Sequence, residues 1–521
     1  MLDKNTDSFD ANWRILRDTA ILSGAGSLFT FVKPLRTVIL GRVLGPYAYG
    51  LFNIPLPYVQ LLSIFANLGI SAALLRLLAI RLGKDDVSGA RALYRIGLSV
   101  TFVSSLVWSI VLAFLSPVLA ERFASEPRAV LLIAIGAWMI PGTTMMAVLA
   151  NVYLAFERGP LLGIVRAIYS LLGFVLPVAF VLVFRQAAHV VVSFVLVETA
   201  GALIAFLYLQ RRVIRGLRID PAPAPSPLAP LLRLAHSFFY TNLGWMIINS
   251  ADRIMLQRYC ATEVLGFYAV AVFFVNFLNI IPMNFAQVIT PTLTKSLSRN
   301  EIDAAWAMIG KTTRVVSIIL APLVVFVSVF AHEIIVVMYS DAFSPATLFL
   351  KLLAAIAVLN YICKLSWSII VSDADPGKRS AVYIAAAAIN IALNFILIPR
   401  FGGTGAACAS LLSYAVLAAA LQAMLRVKTG RILPFGQIVP AFILAGVAVP
   451  VSLLVHIRPM ILGLAANLAI SAVLYLVLCA LTGLVRASDV RHVAERSRIL
   501  PRPIRTVIES CARLVELIAR D

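Results

Sequence analysis

Fourteen apolar stretches, each long enough to cross a bilayer, leave this chain one kind of fold. A helix needs about 20 apolar residues to span the hydrocarbon layer. Candidate spans lie near 19–41, 52–78, 95–119, 129–151, 161–184, 189–210, 235–259, 264–289, 308–331, 346–371, 380–398, 403–425, 435–457 and 461–484. Hydrophobic residues make up 61% of the 521 and charged residues only 13%, a balance foreign to soluble domains. The expected fold class is all-α, a polytopic membrane protein with 14 transmembrane helices. The first 18 residues are polar, and the first apolar stretch is a full span without a small-residue cleavage site. No cleavable signal peptide is expected.

The net charge of +20 would suggest nucleic acid if it lay on one face. It follows topology instead. With the N-terminus inside, Arg42, Arg122, Arg128, Arg185, Arg258, Arg400 and Arg458 fall outside. Lys33, Arg36, Arg253, Lys351 and Lys364 fall within spans, and the other Lys and Arg collect in cytoplasmic segments or at cytoplasmic helix ends. This positive-inside bias puts both termini in the cytoplasm and adds attraction to anionic membrane lipids. No nucleic-acid partner is expected. Cys260, Cys363, Cys408, Cys479 and Cys511 are scattered without metal-ligand or CxxC spacing, and read as small apolar residues. The chain carries no Walker A sequence, no nucleophile elbow and no HExxH. Neither an enzymatic reaction nor a cofactor or metal is expected.

The spans form a tandem repeat. Val38–Phe52 (VILGRVLGPYAYGLF) aligns with Ile254–Tyr268 (IMLQRYCATEVLGFY) at a constant offset of 216, placing Arg42 on Arg258, Gly50 on Gly266 and Phe52 on Tyr268. A weaker match sets Tyr169–Arg185 against Tyr383–Arg400. The expected organisation is a cytoplasmic N-terminus over 1–18, a six-helix lobe over 19–210, a linker over 211–230 and a second six-helix lobe over 231–425. Two further helices follow over 435–484, then a tail over 485–521. Because six is even, the lobes share one orientation and are related about the membrane normal. The PAPAPSP run in the linker is extended and semi-rigid.

Lys33 and Arg36 lie deep in the first span, which carries no acid. At ~1.5 Å per residue they stand about 18 and 22 Å along it, on one face at i, i+3. Pro34 between them removes a backbone donor and favours a kink. A cation in the hydrocarbon layer costs several kcal/mol and is a functional hypothesis by default. The pair is either a site for something negative or one half of a structural ion pair. Polar stripes recur elsewhere: Asn53, Gln60 and Asn67; Asn242, Trp245, Asn249 and Asp252/Arg253; Asn360, Lys364 and Trp367/Ser368; Asn276, Asn279 and Gln287; Asn390 and Asn394. Such amides either line a cavity or join helices at about 0.6 kcal/mol each. Arg76 ends the second span as a topology anchor or a capture point for substrate. Glu198, at mid-depth of span six, is a candidate for proton coupling or a hydrogen-bonded structural acid.

Arg42-Val-Leu-Gly-Pro-Tyr-Ala-Tyr-Gly-Leu-Phe52 resembles the hinge of bacterial polysaccharide transporters. Asp252-Arg-Ile-Met-Leu256 with Gly266-Phe-Tyr268, and Asn394–Ala407 (NFILIPRFGGTGAA), are similar to their later helix passages. The likeness covers the chain to about residue 430. It is to the lipid-linked oligosaccharide flippases of Wzx type, in the superfamily (multidrug/oligosaccharidyl-lipid/polysaccharide, MOP) that also holds the lipid II flippase and the MATE multidrug exporters. The resemblance implies a MATE-like V of two pseudo-symmetric lobes around a central cavity. It implies turnover of an undecaprenyl-diphosphate-linked glycan across the bacterial inner membrane. Polysaccharide polymerase and co-polymerase proteins are candidate partners. Lys33, Arg36, Arg76, Asn249, Arg253, Asn360 and Lys364 would contact substrate, with Glu198 and Asp252 as coupling candidates. Asp252–Arg253 belongs to the family pattern, as an intra-lobe salt bridge or a direct contact. Two other readings stay open: a cation-coupled drug exporter, which would want acids in the cavity, and a non-transporting scaffold of an assembly complex. After Pro501 and Pro503, an apolar stripe from Ile504 to Ile518 with charges opposite predicts an amphipathic helix for the interface or a partner.

Overall fold

A computed structural model of the chain describes residues 33–124, 126–214, 228–299, 301–370, 376–455 and 457–485. The start of the first span, the Pro-rich linker and the C-terminal amphipathic stripe lie outside the described residues. Helices run through nearly all of it: α1 (33–53), α2 (Pro55–Asn67), α3 (Ile70–Leu82), α4 (Val87–Leu119), α5 (Arg128–Ala137), α6 (Met139–Ala155), α7 (Gly159–Phe184), α8 (Ala187–Arg212) and α9 (Leu228–Tyr259). There follow α10 (Thr262–Leu278), α11 (Ile280–Ser298), α12 (Ile302–Val329), α13 (Ala331–Met338), α14 (Ala346–Ala354), α15 (Ile356–Ile370), α16 (Pro376–Thr429), α17 (Phe435–Val451) and α18 (Met460–Leu481). Among the described residues, eleven helical stretches are long and apolar enough to cross a membrane. The protein is a multi-pass membrane protein.

The helix ends follow local chemistry. Gly45 holds φ of 73° and Gly402 φ of 56°, so α1 and α16 are each two helices meeting at a left-handed glycine. Pro46 then opens the second half of α1, where a missing N–H costs nothing. The expected span 52–78 is broken at Leu68–Gly69, both left-handed. A Cβ on Gly69 would strike the Ala235 carbonyl of α9, so the break is where two backbones meet. Expected spans are likewise interrupted at Trp138, Asn279 and Ala355. Asp86 caps α4: its carboxylate accepts from Gly89 N at 2.8 Å and pairs with Arg81 at 2.6 Å. Those bonds hold the exposed carboxyl below its usual range, the Gly89 amide first.

The chain divides into two compact units. One comprises the described residues to Ala269 together with Asp375–Ser413; the other comprises Val270–Ala374 and the described residues from Tyr414. The first holds a core around Leu74, Leu78, Tyr94 and Tyr153, and the buried Tyr153 hydroxyl donates to Ala205 O at 2.8 Å. In the second, Ala441, Ala445 and Ala448 of α17 pack with Ala321 of α12 and Tyr475 of α18. Small residues at this spacing let helices approach where lipid supplies no hydrophobic drive.

The two segments aligned at the 216 offset meet inside the first unit. A Cβ on Gly50 would run into the Thr262 carbonyl, and one on Gly266 into the Pro46 carbonyl. Thr262 is the offset-216 counterpart of Pro46, as Gly266 is of Gly50. The two close approaches are therefore reciprocal under the offset.

Candidate functional site

Arg36 finds its partners on α7 and α8. Its Nη1 donates to Gly173 O at 2.7 Å, and its Cζ stands 4.6 Å from the Phe194 ring centroid. The acceptor exists because of Pro177. In an α-helix the carbonyl of residue 173 accepts from the N–H of residue 177, and proline has none. Arg36 fills that gap and lays its cation on an aromatic face. Its Nε is buried and has no hydrogen-bond partner, and no ion pair to Arg36 or Lys33 forms among the described residues. Lys33, one turn earlier, is exposed.

A second rung repeats one turn along. Tyr169 and Gly173 are i, i+4 on α7; Phe194 and Glu198 are i, i+4 on α8. The Tyr169 hydroxyl donates to Glu198 Oε1 at 2.6 Å. Glu198 is within electrostatic reach of both Lys33 and Arg36 without touching either. The first unit thus gathers two cations, one carboxylate, a phenol and an aromatic face into one polar patch among apolar helices. Chemically, the patch presents N–H donors of a cation and, one turn away, a carboxyl hydrogen-bonded to a phenol. The sequence reading named the charges but missed Tyr169, Gly173 and Phe194; the Gly173–Pro177 spacing was the available signal.

The repeat offset carries Arg36 onto Asp252 and Lys33 onto Asn249. Asp252, 4% exposed on α9, accepts from Tyr268 Oη at 2.5 Å, Ser410 Oγ at 3.2 Å and Arg253 N at 2.7 Å. No ion pair joins its carboxylate to the Arg253 guanidinium. Arg253 donates instead to Gln60 Oε1 at 2.8 Å, Asn249 O at 2.9 Å and Ser250 Oγ at 3.3 Å, and its Nε is buried without a partner. Asn249 Nδ2 donates to Trp245 O at 2.7 Å. Arg76 is exposed on α3.

Asn360 and Lys364 lie in the second unit, one turn apart on α15, the first buried and the second half-buried. The Lys364 carbonyl accepts from Ser368 Oγ at 3.0 Å, and Ser368 meets Thr290 at 2.9 Å. The amides Asn390 and Asn394 act as joints: Asn390 donates to Ser413 Oγ at 3.1 Å, and Asn394 to Asn390 Oδ1 at 2.9 Å. Among the described residues no cluster of His, Cys, Asp and Glu could hold a metal.

Residues 15–297, more than half of the chain, match the family described as polysaccharide biosynthesis protein, and the protein belongs to that family. It is 20% identical over 525 residues to stage V sporulation protein B of Bacillus subtilis (strain 168), covering 94% of this chain and 100% of that one. It is 28% identical over 131 residues to the probable low-salt glycan biosynthesis flippase Agl15 of Haloferax volcanii, 25% of this chain and 28% of the other. Its fold is similar to the inward closed conformation of the lipid II flippase MurJ. The TM-score is 0.69 at 14% identity, over 88% of this chain and 98% of that one. A MATE-family multidrug transporter of the MOP superfamily in its inward-facing conformation matches with a TM-score of 0.62 at 16% identity, over 77% and 94%.

Proposed function

We propose that the protein is a flippase that carries a polyprenyl-diphosphate-linked oligosaccharide from the cytoplasmic to the periplasmic leaflet by alternating access, for cell-surface polysaccharide assembly. The observation that supports this most is Arg36. It is a cation on an acid-free span, held by a carbonyl and an aromatic face rather than by a carboxylate, with a buried N–H still to satisfy. A diphosphate supplies the missing charge, and a guanidinium recognises phosphate through paired N–H groups. Lys33 and Arg253 add charge in the same unit. Asn249, Arg76, Asn360 and Lys364 are the further contacts we assign to substrate. Glu198, bonded to Tyr169 beside these cations, is our candidate for coupling transport to a proton gradient. The family and the flippase relatives agree with this reading. A drug exporter of cationic substrates would use acceptor carboxylates; Asp252 already receives three hydrogen bonds.

The same proposal places fourteen crossings in a bacterial inner membrane with both termini cytoplasmic. The 50-residue stretch Lys33–Leu82 and the 49-residue stretch Ala381–Thr429 would be about 75 Å long at ~1.5 Å per residue. Each is therefore counted as two crossings of a ~30 Å layer, and α9 as one more. The lobes are proposed over 19–210 and 231–425.

The test is export in cells depleted of the native protein, at matched membrane levels of each variant. Arg36→Ala is expected to lower surface glycan about tenfold, one strong charge-assisted contact. Arg36→Glu is expected to lower it further, since a carboxylate repels a diphosphate. Lipid-linked glycan should accumulate on the cytoplasmic side. Export by Arg36→Glu equal to that of the unaltered protein would refute an anion-binding role. Glu198→Gln should keep the Tyr169 hydrogen bond while uncoupling export from an imposed pH gradient.

A further inference from the structure

The second unit contains a basic cavity that the transport reading leaves unused. It occupies about 690 Å³ where the start of α12, the end of α16 and the start of α17 come together, within the usual range of small-ligand sites. Lys311, Arg426 and Arg431 line it, with Trp306 and Gln437, and all three cations are exposed. Arg431 is partly engaged: one Nη bonds Asp303 at 2.9 Å, a pair whose carboxylate is 90% exposed, and its Cζ stands 6.0 Å from the Trp306 ring. Exposed pairs of this kind contribute little, so the cavity keeps its positive field. Gln437 Oε1, by contrast, is buried and receives no hydrogen bond. A buried acceptor left open costs free energy until a donor arrives.

These features ask for two things in one ligand: negative charge for three cations, and a hydroxyl for the Gln437 oxygen. The cavity also sits at the ends of membrane-crossing helices, where lipid is the most concentrated solute. We propose that it binds the head group of an anionic, hydroxyl-bearing phospholipid of the phosphatidylglycerol class. The phosphate lies among Lys311, Arg426 and Arg431, a head-group hydroxyl donates to Gln437, and Trp306 holds the interface level. Ordinary positive-inside cations would not need a concave site or an orphaned acceptor. A phosphatidylcholine head group fits poorly, because it brings a further cation and no hydroxyl.

The experiment is native mass spectrometry of the full-length, detergent-purified protein titrated with phosphatidylglycerol, phosphatidic acid or phosphatidylcholine of matched chains. Phosphatidylglycerol is expected to bind most tightly and phosphatidylcholine least. Each cation contributes roughly fivefold, so Lys311→Gln/Arg426→Gln/Arg431→Gln should weaken phosphatidylglycerol roughly 100-fold. Arg426→Lys/Arg431→Lys, which keeps the charge, should stay within a few-fold of the unaltered protein and guards against a folding artefact. Gln437→Leu should erase the preference for phosphatidylglycerol over phosphatidic acid, and Asp303→Asn should leave binding equal or tighter. Equal binding of phosphatidylcholine, or an unaffected triple variant, would overturn the proposal. Displacement by inorganic phosphate at equal concentration would reassign the site to free phosphate. Displacement by a prenyl diphosphate far below the phosphatidylglycerol concentration would reassign it to the transported lipid. Either result would overturn the head-group assignment.

Discussion

Arg36 and Asp252 fall on one another at the 216 offset and carry opposite charges. Their surroundings differ as much as their signs. The Asp252 carboxylate takes three donors, from Tyr268, Ser410 and its own helix, and is buried among them. The Arg36 guanidinium, with five N–H donors available, gives one to Gly173 and rests on Phe194. The charge at position 252 is closed into the framework; the charge at position 36 is only partly engaged. At the two offset-related positions the carboxylate is thus saturated with donors, while the guanidinium keeps a buried N–H without a partner.

The largest effect that would break this comparison concerns stability. Asp252→Ala removes the acceptor of two buried hydroxyls and a backbone amide. It should cost about 3 kcal/mol or more, read as a lowered thermal transition and poor membrane accumulation. Arg36→Ala should cost less, about 2 kcal/mol or below: the Gly173 hydrogen bond and the Phe194 contact are lost, but removing a cation from the apolar layer offsets part of that. If Arg36→Ala is the more destabilising of the two, the assignment of locked and open charge is reversed.

A somewhat smaller effect tests the repeat itself. Gly50→Ala and Gly266→Ala each push a methyl into a carbonyl of the other repeat, and overpacking of this kind costs about 1–3 kcal/mol. The reciprocal geometry predicts near-equal losses in thermal stability from the two variants. Losses differing by more than about 1 kcal/mol would show that the two approaches are not energetically equivalent.

The smallest effect sharpens the role of Pro177. Pro177→Ala restores the N–H that competes with Arg36 for the Gly173 carbonyl, and it removes a helix breaker. Thermal stability should hold or rise while export falls two- to fivefold, roughly the worth of a net hydrogen bond. A variant that exports normally would show that the carbonyl does not position Arg36.

Much of this architecture was legible in the chain. Apolar runs of bilayer length leave the helix as the way to satisfy backbone groups in lipid. Gly50 and Gly266, matched at the 216 offset, sit where two backbones approach closely. The interruptions at Leu68–Gly69, Trp138, Asn279 and Ala355 were not read from hydropathy, which averages over about twenty residues and passes across a turn of one or two. The partner of Glu198 was not legible, since Tyr169 lies 29 positions earlier and becomes its neighbour only when α7 packs on α8.

Sequence alone settled the membrane class and the sign of the charge at positions 36 and 252, because burial in lipid and side-chain chemistry are local properties. Only the tertiary structure decided which charge is satisfied. Arg36 and Gly173 are 137 residues apart, and Asp252 and Ser410 are 158. Helical periodicity fixes the face on which a residue sits. It says nothing of which distant helix that face will meet, and so cannot tell a charge closed by a ring of donors from one still open to a ligand.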